Sequence, residues 1–206
     1  MKRYIYYPGP SVLVEGNTMS TKIRNQFGGE VGGVSLYGKA HSLSALFIVA
    51  LRAVIGGMIL FAGLGKFAFI RGEAFDASGY LVHGVDASSP VSGLYAAMGS
   101  TPWFVEMASV LVPVTQVLIG VALILGAFVR LAAFGGALQM VMFYLGGWEG
   151  ELLALFDSTL IYAVVFLTVA AFGAGRILGL DAYIERLEVG GETLVERYPK
   201  LRYVLG

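Results

Sequence analysis

Long apolar segments dominate the pattern of hydrophobic and polar positions along the chain. There are four, spanning approximately residues 43–69, 103–128, 131–147 and 152–175; a long polar loop separates the first two, and short stretches separate the others. A helix needs about 20 mostly apolar residues to cross a bilayer. Buried helices of a soluble protein are the alternative, but segments of this length with almost no polar face argue against it. The pattern therefore predicts an all-α, polytopic membrane protein built as a four-transmembrane-helix bundle.

The polar regions outside these segments form an N-terminal arm, a long loop and a C-terminal tail. Residues 1–42 contain no long apolar stretch and predict a flexible cytoplasmic arm rather than a signal peptide. Residues 70–102 contain Gly, Ser and Pro90, and a loop of this length is typical of a lid or a binding surface. Within this loop, residues 92–98 predict a short helix on the surface.

The tail over residues 176–206 follows the membrane domain, which is predicted to span residues 43–175. Apolar positions in the tail recur at helical spacing and predict an amphipathic helix on the cytoplasmic membrane surface, with a solvated tail as the alternative. The residues on that face are Leu180, Tyr183, Ile184 and Leu187.

Composition agrees with this picture, and the charge distribution adds an orientation. Hydrophobic residues make up 57% of the chain, charged residues make up 14%, and the formal net charge is zero, so no bulk field attracts nucleic acid. Eleven of the 14 Lys and Arg residues fall on one predicted side, in the arm, in the turn after the second segment and in the tail. Because basic residues favour the cytoplasmic side, we expect both termini to be cytoplasmic and the protein to lie in the plasma membrane.

The sequence contains few side chains that could bind a metal or a redox cofactor. The chain has no cysteine, which excludes disulfides, iron–sulfur clusters and thiolate metal sites. Its two histidines, His41 and His83, lie outside the apolar segments, so a haem held by two buried histidines is not expected. We therefore expect no metal site and no cofactor held tightly by this chain alone. A redox role would need a diffusible carrier or a partner subunit.

Polar residues inside the apolar segments are the candidate site residues, because ionisable groups are costly in hydrocarbon. Arg52 in the first segment and Gln116 in the second are expected at similar depth, where they would bond to each other and hold a quinone or an anionic group. Gln139 in the third segment lies near the midplane. A polar clamp between helices is the alternative at each position.

A second group of polar residues is predicted near the outer face. Lys66 follows Arg52 by two heptads and therefore lies on nearly the same face of its helix. Glu106 and Asp157 are each expected about one to one and a half turns inside the outer boundary of their helices, with Tyr144 beside them. Lys66, Glu106 and Asp157 would then bind a carbonyl or an anion, with a carboxylate relaying a proton, or would neutralise one another.

Three motifs carry a resemblance to a known family. They are LRAVIGGMILFAGLGKF in the first segment, QVLIGVALILGAFVRLAAFGGAL across the second and third, and FGAGRILGLD at the end of the fourth. Over residues 43–186 the chain resembles the DoxX/DoxD family, whose founding members include the small subunit of archaeal thiosulfate:quinone oxidoreductase. TPWFVE, FYLGGW and AFGAGRILGLDAYIE are similar to haloarchaeal members. Many members carry Glu where Gln116 stands, and the missing carboxylate argues against a proton relay there.

The resemblance implies a four-helix membrane bundle that serves as the membrane subunit of a quinone-linked oxidoreductase system. A membrane quinone is then the expected cofactor. The bilayer and other membrane or membrane-associated subunits are the expected partners, with a homo-oligomer as a further form and no nucleic acid. Two alternatives stay open: a non-catalytic membrane scaffold or assembly partner, and a small transporter that uses the polar stripe as its path. The sequence contains no Walker A loop, dinucleotide fingerprint or HExxH motif.

Overall fold

The computed structural model describes residues 26–31, 34–39, 41–151 and 156–206, and the chain divides into two compact units, Met1–Ser44 and Ala45–Gly206. In the first unit, β1 (Gln26–Val31) pairs antiparallel with β2 (Val34–Lys39). The flexible arm predicted over residues 1–42 falls largely outside the described residues. Its described part forms this hairpin, which the apolar pattern does not predict.

The second unit is mostly helical, in agreement with the predicted all-α class. Its helices are α1 (Ser44–Leu64), α2 (Ala68–Arg71), α3 (Ser92–Gly99), α4 (Pro102–Leu125), α5 (Val129–Gly146), α6 (Ser158–Ala171), α7 (Asp181–Ile184) and α8 (Leu194–Arg197). A π-helical turn covers Gly79–Gly84, and 3-10 turns cover Ala174–Arg176 and Pro199–Tyr203. A small hairpin joins β3 (Glu188–Val189) to β4 (Glu192–Thr193).

Three of these helices, α1, α4 and α5, are long and apolar enough to cross a membrane. Their outward faces expose large apolar side chains, such as Phe61 at 73%, Val110 at 66% and Phe134 at 62%. A water-soluble monomer rarely exposes so much contiguous apolar surface. These features support a membrane protein. The fourth predicted segment, residues 152–175, contains the shorter helix α6, whose 14 residues extend about 21 Å.

Small residues bring the helices together. A Cβ atom added to Gly120 of α4 would lie 2.7 Å from the Cα atom of Leu60 on α1, and one added to Gly63 would lie 2.8 Å from the Cβ atom of Gln116. On the other side of the unit, Gly136 of α5 leaves room for the ring of Phe166 on α6, which is fully buried. Such close approach suits membrane helices, whose association relies on packing and polar contacts rather than on hydrophobic burial.

The loop predicted over residues 70–102 is folded onto the helices, and we call its residues 73–99 the lid. The short helix predicted at residues 92–98 is present as α3. The backbone N–H of Ala77 donates to Ser109 Oγ on α4 at 2.9 Å. Ser89 Oγ donates to the carbonyl of Leu145 at the end of α5 at 2.6 Å. The lid is therefore fastened to both helices.

The tail departs from the single amphipathic helix predicted for it. Helix α7 is only one turn long, and the chain then forms the β3–β4 hairpin. Gly190 and Gly191 at the hairpin turn have φ angles of +70° and +89°, a conformation that glycine adopts readily and that a helix does not contain. Of the four residues expected on the apolar face, Leu180, Tyr183 and Leu187 are exposed and Ile184 is half-buried.

Candidate functional site

A cavity of about 880 Å³ lies between α4 and α5 and beneath the lid, and we call it the cleft. Pockets that hold small molecules commonly measure about 300–1,000 Å³. The helical walls run from Phe104 to Ala122 on α4 and from Phe128 to Phe143 across α5. The lid contributes six residues to the lining: Phe75, Ala77, Tyr80, Leu81, Tyr95 and Met98. Most of the lining is apolar, so the cleft suits the hydrocarbon body of an amphiphile.

Thr115 of α4 and Gln139 of α5 form the polar pair in the wall of the cleft. Gln139 Nε2 donates to Thr115 Oγ1 at 2.7 Å, so the pair links the two helices. The other end of the amide, Gln139 Oε1, is shielded from bulk solvent and has no hydrogen-bond partner among the described residues. A buried acceptor without a donor is costly, because it has lost its hydrogen bonds to water.

Lys66 brings a positive charge to the lining of the cleft. It lies just beyond the end of α1 and folds back, so that its Nζ donates to the carbonyl of Ala62 and to Gln116 Oε1, each at 3.0 Å. The ammonium group also lies 5.6 Å from the centre of the Phe75 ring, within the range of a cation–π contact. An ammonium group carries three N–H donors, so one is left over from these two hydrogen bonds.

The two polar contacts share one level of the bundle. Thr115 and Gln116 are consecutive on α4, and their side chains point about 100° apart around the helix axis. Thr115 reaches α5 through Gln139, while Gln116 reaches Lys66 at the end of α1. The result is a polar layer across three helices, with apolar wall on either side of it along α4.

Two tyrosines hold the lid against the end of α5. Tyr95 is buried and donates its hydroxyl to the carbonyl of Met142 at 2.9 Å. Tyr80 packs edge-on against Tyr95 and Phe143, with ring centres 6.1 Å and 5.4 Å away. Burial, with a smaller contribution from Tyr95, raises the pKa of Tyr80 to about 12. Both phenols therefore remain neutral hydrogen-bond donors at physiological pH.

The second predicted cluster is only partly assembled. Lys66 and Glu106 line a common smaller cavity of about 660 Å³, but no ion pair joins them among the described residues. Tyr144 instead packs edge-on against Trp148, with ring centres 5.6 Å apart. Neither cavity is lined by Tyr144 or Asp157, so these two residues do not complete a site with Lys66.

The fourth helix was predicted to begin near residue 152, but α6 begins at Ser158. Asp157 therefore lies outside the bundle interior. It is the exposed N-terminal capping residue of α6 and accepts a hydrogen bond from the backbone N–H of Thr159 at 2.7 Å. Hydrogen bonds from the Thr159 hydroxyl and backbone lower the pKa of Asp157. The role visible in the structure is therefore helix capping.

Arg52 and Gln116 do not form the predicted hydrogen bond; each has a different partner. Gln116 accepts from Lys66, whereas the Arg52 guanidinium donates to the backbone carbonyls of Ala174, Ile177 and Leu178, the last two at 3.1 Å. The two residues lie at different levels of the bundle: Gly63, eleven residues after Arg52 on α1, packs against Gln116, whereas Arg52 packs against Gly126 at the end of α4. Eleven residues of helix extend about 16 Å. Arg52 is buried, yet it lines neither cavity, so its visible role is to fix the segment after α6.

Asp181 completes the cluster around Arg52, and the sequence reasoning did not single it out. Its carboxylate is fully buried and accepts from the backbone N–H groups of Phe128, Val129 and Gly206 at 2.6, 3.0 and 3.0 Å. Phe128 and Val129 begin α5, so a tail residue caps this helix, where a negative charge is favourable. The only available signal was an acidic residue in the glycine-rich FGAGRILGLD motif.

Thr115, Tyr80 and Tyr95 were also missed as site residues. Thr115 was detectable in principle, because it is a hydroxyl beside Gln116 inside an apolar segment. The tyrosines lie in a loop whose docking position no periodic pattern reveals. Among the described residues, no group of three or more His, Asp or Glu side chains is placed to hold a metal ion.

Comparisons of the chain with protein-family models, curated proteins and solved structures find no match. The DoxX/DoxD resemblance therefore rests on the sequence motifs alone.

Proposed function

We propose that this chain is an integral membrane protein of the DoxX/DoxD type that holds a membrane quinone in the cleft, as a subunit of a quinone-linked oxidoreductase system. The observation that supports this proposal most directly is the cleft itself. It combines a long apolar wall with a polar layer at one level, which suits a lipid with a hydrogen-bonding headgroup.

The same proposal includes four membrane spans, with α6 as the fourth. The backbone N–H of Asp181, beyond α6, donates to the carbonyl of Gly126 at the end of α4, at 2.9 Å. Helix α5 runs away from the level of Gly126, and α6 runs back to it. The chain after α6 therefore lies at the same side of the bundle as the end of α4. The excess of basic residues on that side supports cytoplasmic termini in the plasma membrane.

The topology can be tested cleanly because the chain contains no cysteine. Ala87→Cys in the lid and Glu192→Cys in the tail place single thiols at exposed positions. A membrane-impermeant maleimide added to intact cells should label Ala87→Cys and should label Glu192→Cys only after permeabilisation. Labelling of both variants in intact cells would contradict a fourth span.

The quinone is tested by mass spectrometry of lipids extracted from protein purified in mild detergent from its native membrane. We expect close to one quinone per chain. Ala108 lines the cleft, so Ala108→Phe should fill it and remove the quinone. Ala53 is exposed on α1, so Ala53→Phe is a matched control that should retain it. Absence of quinone together with a stoichiometric protein partner would favour the scaffold alternative.

A further inference from the structure

The cavity of about 660 Å³ lies on the opposite face of α4 from the cleft, and we call it the side groove. Helical residues follow one another at about 100° around the axis, which places the α4 residues of the two cavities on opposite sides of the helix. The segment after α1 and the start of the lid form its other walls. Val110 and Val114 on its α4 wall are exposed, so the side groove opens to the outside of the helical unit.

The side groove extends from the end of α4 into the apolar part of the helix. Glu106 and Val114 follow Pro102, the first residue of α4, by about 6 Å and 18 Å along the axis. Trp103 at the same end is 66% exposed, and tryptophan favours the boundary between lipid and water. Because α4 is long and apolar enough to cross a membrane, this groove faces both the headgroup and the upper acyl chain of a lipid.

Charges of both signs line the polar end of the side groove. Lys66 lies on one wall and Glu106 on the α4 wall, but no ion pair joins them among the described residues. The Lys66 ammonium group uses two of its three donors on Ala62 and Gln116 and has one left over. Opposite charges that line one cavity without pairing are complementary to a group that carries both charges itself.

Asp76 is the other carboxylate of the side groove, and its oxygen atoms are already bonded within the lid. Asp76 Oδ1 accepts from the backbone N–H of Ser78 at 2.8 Å, and Oδ2 accepts from the Ser78 hydroxyl at 2.7 Å. These hydrogen bonds lower the pKa of Asp76, so it stays negatively charged. Glu106 is therefore the carboxylate that can receive a cation, while the charge of Asp76 disfavours a second anion nearby.

We propose that the side groove binds a zwitterionic phospholipid with a primary amine, whose phosphate accepts from Lys66 and whose ammonium group donates to Glu106. The acyl chain would lie along Val110 and Val114. An anionic phospholipid offers the same phosphate to Lys66, but it has no cation for Glu106. This lipid site goes beyond the proposed function, because it lies outside the cleft.

The test uses native mass spectrometry of the full chain, delipidated in mild detergent and titrated with one phospholipid at a time. The probes are palmitoyl-oleoyl phosphatidylethanolamine and the phosphatidylglycerol with the same acyl chains. We expect the first phosphatidylethanolamine to bind about fivefold more tightly, because its ammonium group adds a charge-assisted hydrogen bond. Glu106→Gln should remove this preference, whereas Lys66→Met should weaken the binding of both lipids. Glu149→Gln is the matched control: Glu149 is exposed and lines neither cavity, so the preference should remain.

Other results would overturn the proposal at separate points. Binding of phosphatidylglycerol as tight as that of phosphatidylethanolamine would exclude the zwitterionic headgroup. A preference that survives in Glu106→Gln, or that is lost equally in Glu149→Gln, would overturn the pairing with Glu106. Soluble phosphoethanolamine that binds as tightly as the lipid would show that the side groove takes a free zwitterion rather than a membrane lipid.

Discussion

Two polar clusters lie inside the helical unit, one around Arg52 and Asp181 and the other around Lys66 and Gln139. The first is nearly saturated: Arg52 donates to three backbone carbonyls, and Asp181 accepts from three backbone N–H groups. Within this cluster, Arg52 Nε alone has no partner among the described residues. The first cluster lines neither cavity. The second lines the cleft and keeps spare hydrogen-bonding capacity.

The difference shows how buried polar groups can be sorted by function. A polar residue inside a membrane domain is expensive in either role, so its presence alone does not distinguish a clamp from a binding site. Partners of the polar atoms and access to a cavity do distinguish them. By these criteria the Arg52 cluster is a clamp, and the polar residues that line the cleft, among them Lys66 and Thr115, are the better candidates for contact with a ligand.

The largest expected effect comes from breaking the clamp. Asp181→Asn replaces an acceptor-only carboxylate by an amide whose N–H₂ would face backbone donors, and Arg52→Met leaves three carbonyls without their donor. Each leaves several buried backbone groups without a partner and should lower the free energy of unfolding by about 3 kcal/mol or more, since one unsatisfied buried group costs about 1–3 kcal/mol. Thermal unfolding of the purified protein in mild detergent measures the loss.

The matched control for the clamp is the exposed ion pair between Arg176 and Glu185, whose atoms approach to 2.7 Å. Glu185→Gln should cost less than about 1 kcal/mol, because exposed pairs contribute little. An Asp181→Asn protein that is as stable as Glu185→Gln would contradict the description of the Arg52 cluster as a clamp.

The next largest effect concerns the close packing of α4 against α1. Gly120→Ala would place a Cβ atom 2.7 Å from the backbone of Leu60 and should cost about 1–3 kcal/mol through overpacking. Gly57→Ala on α1 meets no atom within 4 Å and should leave stability unchanged or raise it by up to about 1 kcal/mol. Comparable melting temperatures for the two variants would show that the α1–α4 seam is not tightly closed.

At the cleft, removal of the Gln139 amide should raise the stability of the protein rather than lower it. In the ligand-free protein, Gln139→Leu eliminates a buried acceptor that lacks a donor and should raise stability by about 1–2 kcal/mol. Gln116→Leu is the informative partner variant, because it deprives the Lys66 ammonium of its side-chain acceptor and should lower stability. The comparison between saturated and unsaturated clusters fails if both variants change the melting temperature in the same direction.

The smallest expected loss of stability comes from an exposed polar residue. Asp157→Ala removes the N-terminal cap of α6 and should cost about 1 kcal/mol near pH 7. Because hydrogen bonds from Thr159 lower the pKa of Asp157 in the folded state, the cap contributes fully above the unfolded pKa, and its contribution is lost as pH falls through the folded value. Melting curves at several pH values should show the cost vanishing in acid. Asp157→Asn, whose capping does not depend on ionisation, should show little such pH dependence.

Hydropathy located α1, α4 and α5 because lipid demands a continuous apolar stretch from any helix that crosses it. It placed their ends less well. The first predicted segment continues to residue 69, whereas α1 ends at Leu64 and the chain turns at Gly65 and Lys66. The hairpin of β1 and β2 was missed, since its glycine-rich strands show no apolar alternation.

Site prediction failed where it needed the relative depth of residues on different helices. Counting from the predicted helix ends placed Arg52 level with Gln116, but Gln116 packs against Gly63, and Arg52 lies about 16 Å away along α1, beside the segment after α6. No local pattern predicts where such an irregular segment docks, because tertiary packing decides it. Lys66 folds back from beyond the end of α1, because its long side chain reaches the carbonyl of Ala62.

The cap that Asp181 provides for α5 also has a consequence for the order of assembly. The carboxylate follows Phe128 and Val129 by 53 and 52 residues, so it does not yet exist when the start of α5 emerges from the ribosome. At roughly 5–20 residues per second, synthesis of the intervening chain takes about 3–10 s. During this interval the first turn of α5 has unsatisfied N–H groups. The start of α5 is therefore stabilised late, when the tail packs onto a bundle whose helices have already been synthesised.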